Sequence, residues 1–282
     1  MAVQGATRLR ALARRDAVGT LVRGVPAPRS LGVDGVIVRQ VGSPRGYVDW
    51  LALWRELVER HNLARRHEGL DGDPWRKRAA GFNESVRRRL AAPDTLRDLL
   101  VERVDSSLTV LDVGAGTGGW AIPLARAARA VTCIEPSPAM LEHLQANVRE
   151  AGLDNVDCIA GTWPCEIEPH DVVLCSHAMY SAADLVGFVR ALESAARQRV
   201  YLVMRLPTSD GVMAEASRIV WGHPHDSPNL IVAYNALIDL GIYPDVVVQR
   251  ELWRPWVSES LQAALEDVKR RLGVADTIEF DA

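Results

Sequence analysis

The segment Val110-Leu111-Asp112-Val113-Gly114-Ala115-Gly116-Thr117-Gly118-Gly119-Trp120 sets four glycines behind an aliphatic stretch and ahead of a helix-forming run, Ala121, Ile122, Leu124 and Ala125. Glycines at such a turn let the backbone fold tightly and let a ligand approach with no Cβ in the way. Exposed N–H groups and the positive end of the helix then favour a ligand with anionic or polar acceptor groups. The spacing fits two patterns. Gly114, Gly116 and Gly119 satisfy G-x-G-x-x-G, the dinucleotide fingerprint, whereas Gly114, Gly116 and Gly118 satisfy G-x-G-x-G. Glu135, 21 residues after Gly114, can accept both hydroxyls of a ribose under either pattern. Asp112, two residues before the first glycine, bears on the choice. A carboxylate there repels a diphosphate but helps to hold a cationic amino-acid moiety.

These residues need elements to hold them. From Leu108 onward short aliphatic runs alternate with helical stretches. Strands are expected at 108–113, 130–134, 155–159, 170–175, 199–204 and 245–252, and helices at 119–128, 138–151, 183–197, 210–221 and 228–240. Ser137-Pro138 and Ser227-Pro228 place a capping residue before a proline at the first helical position, and Gly152 and Gly241 fall where helices end. Such alternation means βαβ units and a mostly parallel sheet. Residues 107–282 are therefore expected to form the catalytic domain. Ahead of it, 47–106 reads as a helical cap. Trp50, Leu53, Trp54, Leu57 and Val58 recur at helical spacing, a second helix from Pro74 carries Trp75, Arg78, Phe82 and Val86 on one side, and a third follows Pro93. Residues 1–46 have no sustained period and read as an irregular extension, with a short helix at 6–16 and a short strand near Val36–Val38.

Leu111-Asp112-Val113-Gly114-Ala115-Gly116-Thr117-Gly118 resembles motif I of the class I S-adenosylmethionine-dependent methyltransferases. Glu135-Pro136-Ser137-Pro138-Ala139-Met140 resembles the ribose-binding turn of the same family. The resemblance spans roughly residues 105–205. It implies an α/β, Rossmann-like, seven-stranded and mostly parallel sheet with an antiparallel hairpin at one edge. It also implies S-adenosylmethionine over the carboxyl ends of the strands, and transfer of its methyl group to an acceptor, here expected to be a small molecule. The implied cofactor set is Asp112, Gly114, Ala115, Gly116, Gly118, Glu135, Pro136 and Met140. In the family a last strand pairs antiparallel beside the sixth. After Leu272 only Thr277-Ile278-Glu279-Phe280 remain for it, so the hairpin is expected to be abbreviated or missing. Two other functions stay open: an NAD(P)-dependent oxidoreductase using the G-x-G-x-x-G form, and an RNA-associated methyltransferase or cofactor-binding protein.

Further positions follow from the same alignment of motifs. After the third catalytic-domain strand, where the family often has an acidic residue, this chain has Gly161-Thr162-Trp163. Thr162 can accept from an adenine amino group, and Trp163 can stack on the purine or pack within the domain. The fourth strand ends Cys175-Ser176-His177-Ala178-Met179-Tyr180, at the lip where a methyl group would point. Ser176 is assigned to the cofactor, and His177 and Tyr180 are the candidates for shaping the acceptor site or taking its proton. Trp75 and Phe82 offer an apolar wall beside a sulfonium through cation–π contact, or an ordinary packing stripe.

Several classes are disfavoured. Enzymes that methylate nucleic-acid amino groups usually carry Asn/Asp-Pro-Pro-Tyr/Phe where this chain has Cys175-Ser176-His177-Ala178, which counts against a nucleic-acid partner. Pro164-Cys165 precedes the fourth strand rather than following it, so Cys165 is out of place as a nucleophile for cytosine C5 methylation. His223-Pro224-His225-Asp226 is an isolated loop cluster, and no metal site is expected. The four cysteines form no C-x-x-C pair, which fits a reducing, cytoplasmic setting. No apolar run is long enough to span a membrane. The first 29 residues hold six arginines and one acid but no apolar core, and read as a loose basic tail. The formal charge of −3 divides into 20 basic and 13 acidic residues up to position 110, against 13 and 23 beyond it. Because all but Lys77 and Lys269 of the 33 basic residues are arginine, the bias reads as compositional rather than as a phosphate grip.

Overall fold

The computed structural model describes residues 20–23, 48–67, 72–207, 211–249 and 258–274. In chain order the strands are β1 (Thr20–Arg23), β2 (Thr109–Val113), β3 (Ala130–Glu135), β4 (Val156–Ala160), β5 (His170–Ser176), β6 (Ala196–Met204) and β7 (Asp245–Val248). The helices are α1 (Trp50–His67), α2 (Ala79–Leu90), α3 (Thr95–Val101), α4 (Ala121–Ala125), α5 (Pro138–Glu150), α6 (Leu185–Ala195), α7 (Val212–Trp221), α8 (Leu230–Asp239) and α9 (Leu261–Leu272).

The sheet order is β4-β3-β2-β5-β6-β1-β7. The first five of these run parallel, and β1 is antiparallel to both β6 and β7. The chain winds outward from β2 through β3 to β4, then returns to start β5 on the other side of β2. Ligands of open α/β sheets bind outside the carboxyl ends at such a reversal. The glycine turn follows β2 and Ser176-His177 end β5, so the topology itself brings the two candidate segments together.

Both faces of the parallel block are covered, which is why its strands read as aliphatic runs. Successive side chains alternate between the faces. Leu111, Val113, Ile134, Val173, Cys175 and Leu202 pack against α1, α6 and α8, whereas Val110, Val131, Cys133, Val172, Leu174 and Val203 pack against α3, α4 and α5. The helices of 47–106 go to three places. Helix α1 joins the first face, where Trp54 is fully buried and its indole N–H donates to the Ala182 carbonyl at 2.8 Å. Helix α3 joins the second through Leu96 and Leu100. Helix α2 and the turn before it overlie the glycine loop.

The structure departs from the sequence expectations at five points. The helix expected from Pro74 begins only at Ala79, and Trp75 and Arg78 lie in the turn before it. The place beside β6 that the resemblance assigns to a last strand is filled from the other end of the chain by Thr20–Arg23, so this part of the 1–46 extension is a strand rather than irregular. Four residues whose pairing is wholly long-range leave no local signal. Helix α9 was not expected, although Leu261, Leu265, Val268 and Leu272 have helical spacing; Val268 and Leu272 pack on Ala216 of α7. Helix α8 begins beyond Pro228, capped by Asn229, whose side chain accepts from the N–H groups of Ile231 and Val232 at 3.0 and 3.3 Å. Strand β7 covers Asp245–Val248 and excludes Gln249, and the rest of the strand expected there, 250–252, lies outside the described residues. The expectations for 6–16, 36–38 and 277–280 fall outside the described residues. No helix among the described residues is long and apolar enough to cross a membrane.

Candidate active site

The glycine loop is held by its neighbours rather than by itself. The N–H groups of Gly114 and Ala115 both donate to the Ile134 carbonyl, at 2.8 and 3.1 Å, which fastens the loop to β3. Gly114 has φ +74°, and a Cβ there would lie 2.3 Å from Ala178 Cβ. Gly116 has φ +59° and lies under Phe82, whose ring edge is 3.5 Å from where a Cβ would stand. At Gly114 both the backbone and the space require glycine, whereas at Gly116 the left-handed backbone alone favours it.

Glu135, at the end of β3, closes the loop. One carboxylate oxygen accepts from the Gly116 N–H at 2.7 Å, and the other from the Ser137 N–H at 2.9 Å. Burial raises its pKa, and although the two backbone N–H bonds pull the value back, the net direction is upward. Asp112 lies deeper, 1% exposed, and neither of its carboxylate oxygens has a hydrogen-bond partner. Burial first, and then the charge of Glu135, push its pKa up to about 7. The buried hydroxyl of Thr117 is likewise unpartnered. Buried polar groups are normally satisfied, so a bare carboxylate under a ligand-shaped turn is a mark of a binding site.

Beside the loop opens a cleft of about 220 Å³, walled by Phe82, Val86, Arg89 and Leu90 of α2, by Asp94 and Arg97, and by Gly114–Thr117, Trp120, Ser176 and His177. The Ser176 hydroxyl accepts from the Trp120 indole N–H at 2.8 Å. His177 is the one non-glycine residue with positive φ among the described residues, at +56°, and its N–H donates to the Val203 carbonyl at 2.9 Å. A left-handed histidine at a cleft is backbone strain of the kind found at functional sites. Its Nδ1 lies 3.0 Å from the Tyr180 hydroxyl, which accepts from the Arg205 N–H at 2.5 Å. The Arg205 guanidinium in turn donates to Asp226 and Ser227. Desolvation, followed by the charges of Arg89 and Arg205, lowers the His177 pKa to about 4, and burial raises that of Tyr180 to about 12. Both are therefore neutral near pH 7. Where the Tyr180 O–H donates to Nδ1, Nε2–H of His177 presents a donor; where Nδ1–H donates to the Tyr180 oxygen, Nε2 presents a lone pair that can take a proton.

The structure thus brings Phe82, Gly114, Ala115, Gly116, Ser176 and His177 to one cleft, with Glu135 bonded to its floor and Asp112 beneath. Trp75 stands behind Phe82, edge-on at 5.2 Å between ring centroids. Gly118 is tucked against Leu144, Met140 is buried at the start of α5, and Pro136 and Thr162 are exposed. Trp163 packs in the core, its indole N–H donating to the Phe188 carbonyl at 3.2 Å; of the two roles weighed for it, this is the packing one. Cys165 is exposed. No group of three or more metal-ligating side chains occurs among the described residues.

Sequence reasoning passed over three residues. Arg89 lines the cleft and makes no ion pair among the described residues, one arginine among many in the sequence. Asp73 and Asn147 reach Ser137–Ala139 and the glycine loop across long chain separations.

The family model of a methyltransferase domain matches residues 110–198. These residues are similar to methyltransferase domains, and the strand order and the two motifs agree with the class I S-adenosylmethionine-dependent methyltransferase pattern. An uncharacterised protein of Haemophilus influenzae is 26% identical over 226 residues, 77% of this chain and 81% of its own length. A ubiquinone biosynthesis O-methyltransferase of Methylocella silvestris is 29% identical over 119 residues, 40% of this chain, so the match spans only 45% of that enzyme. A 23S rRNA (uracil(1939)-C(5))-methyltransferase of Aeromonas salmonicida is 34% identical over 89 residues, 28% of this chain and 20% of that enzyme. Among solved structures, a SAM-dependent methyltransferase from Aquifex aeolicus superposes with a TM-score of 0.35 at 20% identity, over 43% of this chain and 70% of that one.

The residues present fit the family's cofactor. The unpartnered Asp112 carboxylate suits an ammonium group, and Glu135 keeps lone pairs free for ribose hydroxyls. The cleft beside Gly114–Thr117 leaves room for the ligand along the loop.

Proposed function

We propose that this chain transfers the methyl group of S-adenosylmethionine to a small-molecule acceptor held at the His177 side of the cleft. The observation that carries the cofactor assignment is Asp112: a buried carboxylate with no partner, two residues ahead of the first glycine. Burying an unpaired charge costs several kcal/mol, and a cationic ligand group removes much of that cost. A pyrophosphate would add to it, which argues against a nicotinamide dinucleotide.

When bound, the cofactor supplies a methyl group already activated by a sulfonium, and transfer is an in-line displacement. The chain's own residues then have three tasks. Asp112, Glu135 and the glycine loop fix the ligand, and Arg89 is placed to meet a carboxylate. Phe82 and Trp75 cover the loop and exclude water. Alignment of the acceptor against the methyl carbon supplies roughly 7–11 kcal/mol of barrier lowering in well-oriented reactions. His177, neutral at physiological pH, takes an acceptor proton at Nε2 when Nδ1–H faces Tyr180.

Small size of the acceptor is supported by α2, which lies over the glycine loop and walls the cleft that His177 also lines. The test is transfer of tritiated methyl from S-adenosylmethionine by the purified protein into cell extract split into a fraction below 3 kDa and total RNA. Label in the small-molecule fraction supports the reading. Label confined to RNA overturns the acceptor class while keeping the reaction.

A further inference from the structure

Helix α2 and its preceding turn are fastened to the catalytic domain by two polar clasps, and each lands on one of the two turns that hold the cofactor. Asp73 makes the first. One carboxylate oxygen accepts from the Ser137 hydroxyl at 2.9 Å and the Ala139 N–H at 3.3 Å; the other accepts from the Trp75 N–H at 2.9 Å. Ser137 is also the N-cap of α5, accepting from Met140 N–H at 3.2 Å, and its own N–H donates to Glu135. One carboxylate therefore joins the start of the ribose-facing turn to the start of the aromatic wall. Asn147, 6% exposed on α5, makes the second clasp: its amide donates to Asn83 of α2 at 2.7 Å and to the Thr117 carbonyl of the glycine loop at 2.8 Å, and its oxygen accepts from Arg87 at 2.7 Å.

We infer that Asp73 is a positioning residue for the cofactor, holding Glu135 and the Trp75–Phe82 wall in one fixed relation, with Asn147 doing the same for α2 and the glycine loop. The inference rests on the S-adenosylmethionine reading above. Burial acts to raise the Asp73 pKa, but the bonds from Trp75, Ser137 and Ala139 and the charge of Arg76 outweigh it, so the carboxyl sits below its ordinary value and is ionised at neutral pH. Ionised, it makes charge-assisted bonds to all three donors. Such bonds preorganise a site, and their loss is felt as weaker binding of whatever the site holds. Cap docking and ligand binding then become coupled: whatever favours one favours the other.

The test uses the full chain and two probes, S-adenosylhomocysteine and 5′-methylthioadenosine, the second lacking the amino-acid end. Asp73→Asn keeps the shape but turns an amide nitrogen towards donors. Calorimetry should find both probes weakened by the same factor, about tenfold, the loss expected for a hydrogen bond to a charged group. The unliganded melting temperature should move by only a few degrees. Equal affinity of wild type and variant for both probes overturns the inference. If the wild type binds neither probe, the cofactor reading itself fails and this inference falls with it. Should Asp73→Asn not fold, hydrogen exchange on the wild type decides: added S-adenosylhomocysteine must slow the Ala139 and Trp75 amides together, and protection of Ala139 alone overturns the coupling.

Discussion

The two sides of the cleft are built on opposite principles. On the glycine side the protein leaves chemistry unfinished: Asp112 and Thr117 are buried without partners, and the cleft opens along the loop. On the β5 side the chain His177–Tyr180–Arg205–Asp226 pairs its polar groups one with the next. An unfinished site loses stability in isolation and recovers it on binding, so it selects a ligand by charge. A self-paired site gains little from polar contacts and selects by shape and alignment. This contrast explains why the residues of the glycine side point to a ligand of one charge, whereas those of the β5 side do not name the chemistry of what they would meet.

The largest effect should come from the glycine side. Gly114→Ala forces a side chain into a left-handed backbone and against Ala178; left-handed strain of about 1–2 kcal/mol and overpacking of about 1–3 kcal/mol predict a loss of roughly 2–5 kcal/mol, read by urea unfolding. Next, Asp112→Asn should make the unliganded protein more stable while weakening S-adenosylhomocysteine by about tenfold or more. Its pH dependence sharpens the point. With a folded pKa of about 7 against an ordinary 3.8, the folded state holds the proton longer than the unfolded one. Wild-type stability should thus fall as pH rises from about 4 through 7, and Asp112→Asn should lack that slope. A third variant, Arg89→Gln, should cost S-adenosylhomocysteine about fivefold and leave 5′-methylthioadenosine unchanged, because only the former carries a carboxylate.

The smallest effect lies on the self-paired side. His177 should titrate near pH 4 by NMR, well below the usual 6.5. Its pKa is depressed on folding, so the unfolded state takes the proton first, and the wild type should lose stability relative to His177→Gln as pH falls from about 6.5 towards 4. His177 is itself exposed at the cleft, so a midpoint near 6.5 would mean that its contact with solvent outweighs the desolvation and the nearby arginines.

What the sequence made legible follows the same division. Glycine spacing, Asp112, Glu135 and the Ser137-Pro138 cap are local patterns, and each sits where its pattern implied. The parallel strands were legible because both faces are buried, which writes continuous aliphatic runs into the chain. The first strand was not, since Thr20–Arg23 owes its conformation to β6 and β7, more than 170 residues away. Nor were the roles of Asp73, Asn147 and Arg89. An aspartate before a helix reads as a cap, an asparagine inside one as a surface residue, and a lone arginine disappears in a chain where arginine is the default cation. Trp163 carried two readings of equal chemical merit, and only its contact with the Phe188 carbonyl distinguishes packing from ligand stacking.

The central claim is that the unfinished half of the cleft takes S-adenosylmethionine. Calorimetric titration of the wild-type chain and of Glu135→Ala with S-adenosylhomocysteine, with NADH as the competing ligand, tests it most directly. The account predicts one site for S-adenosylhomocysteine in the wild type, its loss or severe weakening in Glu135→Ala, and no heat from NADH. Binding of NADH without binding of S-adenosylhomocysteine would contradict it.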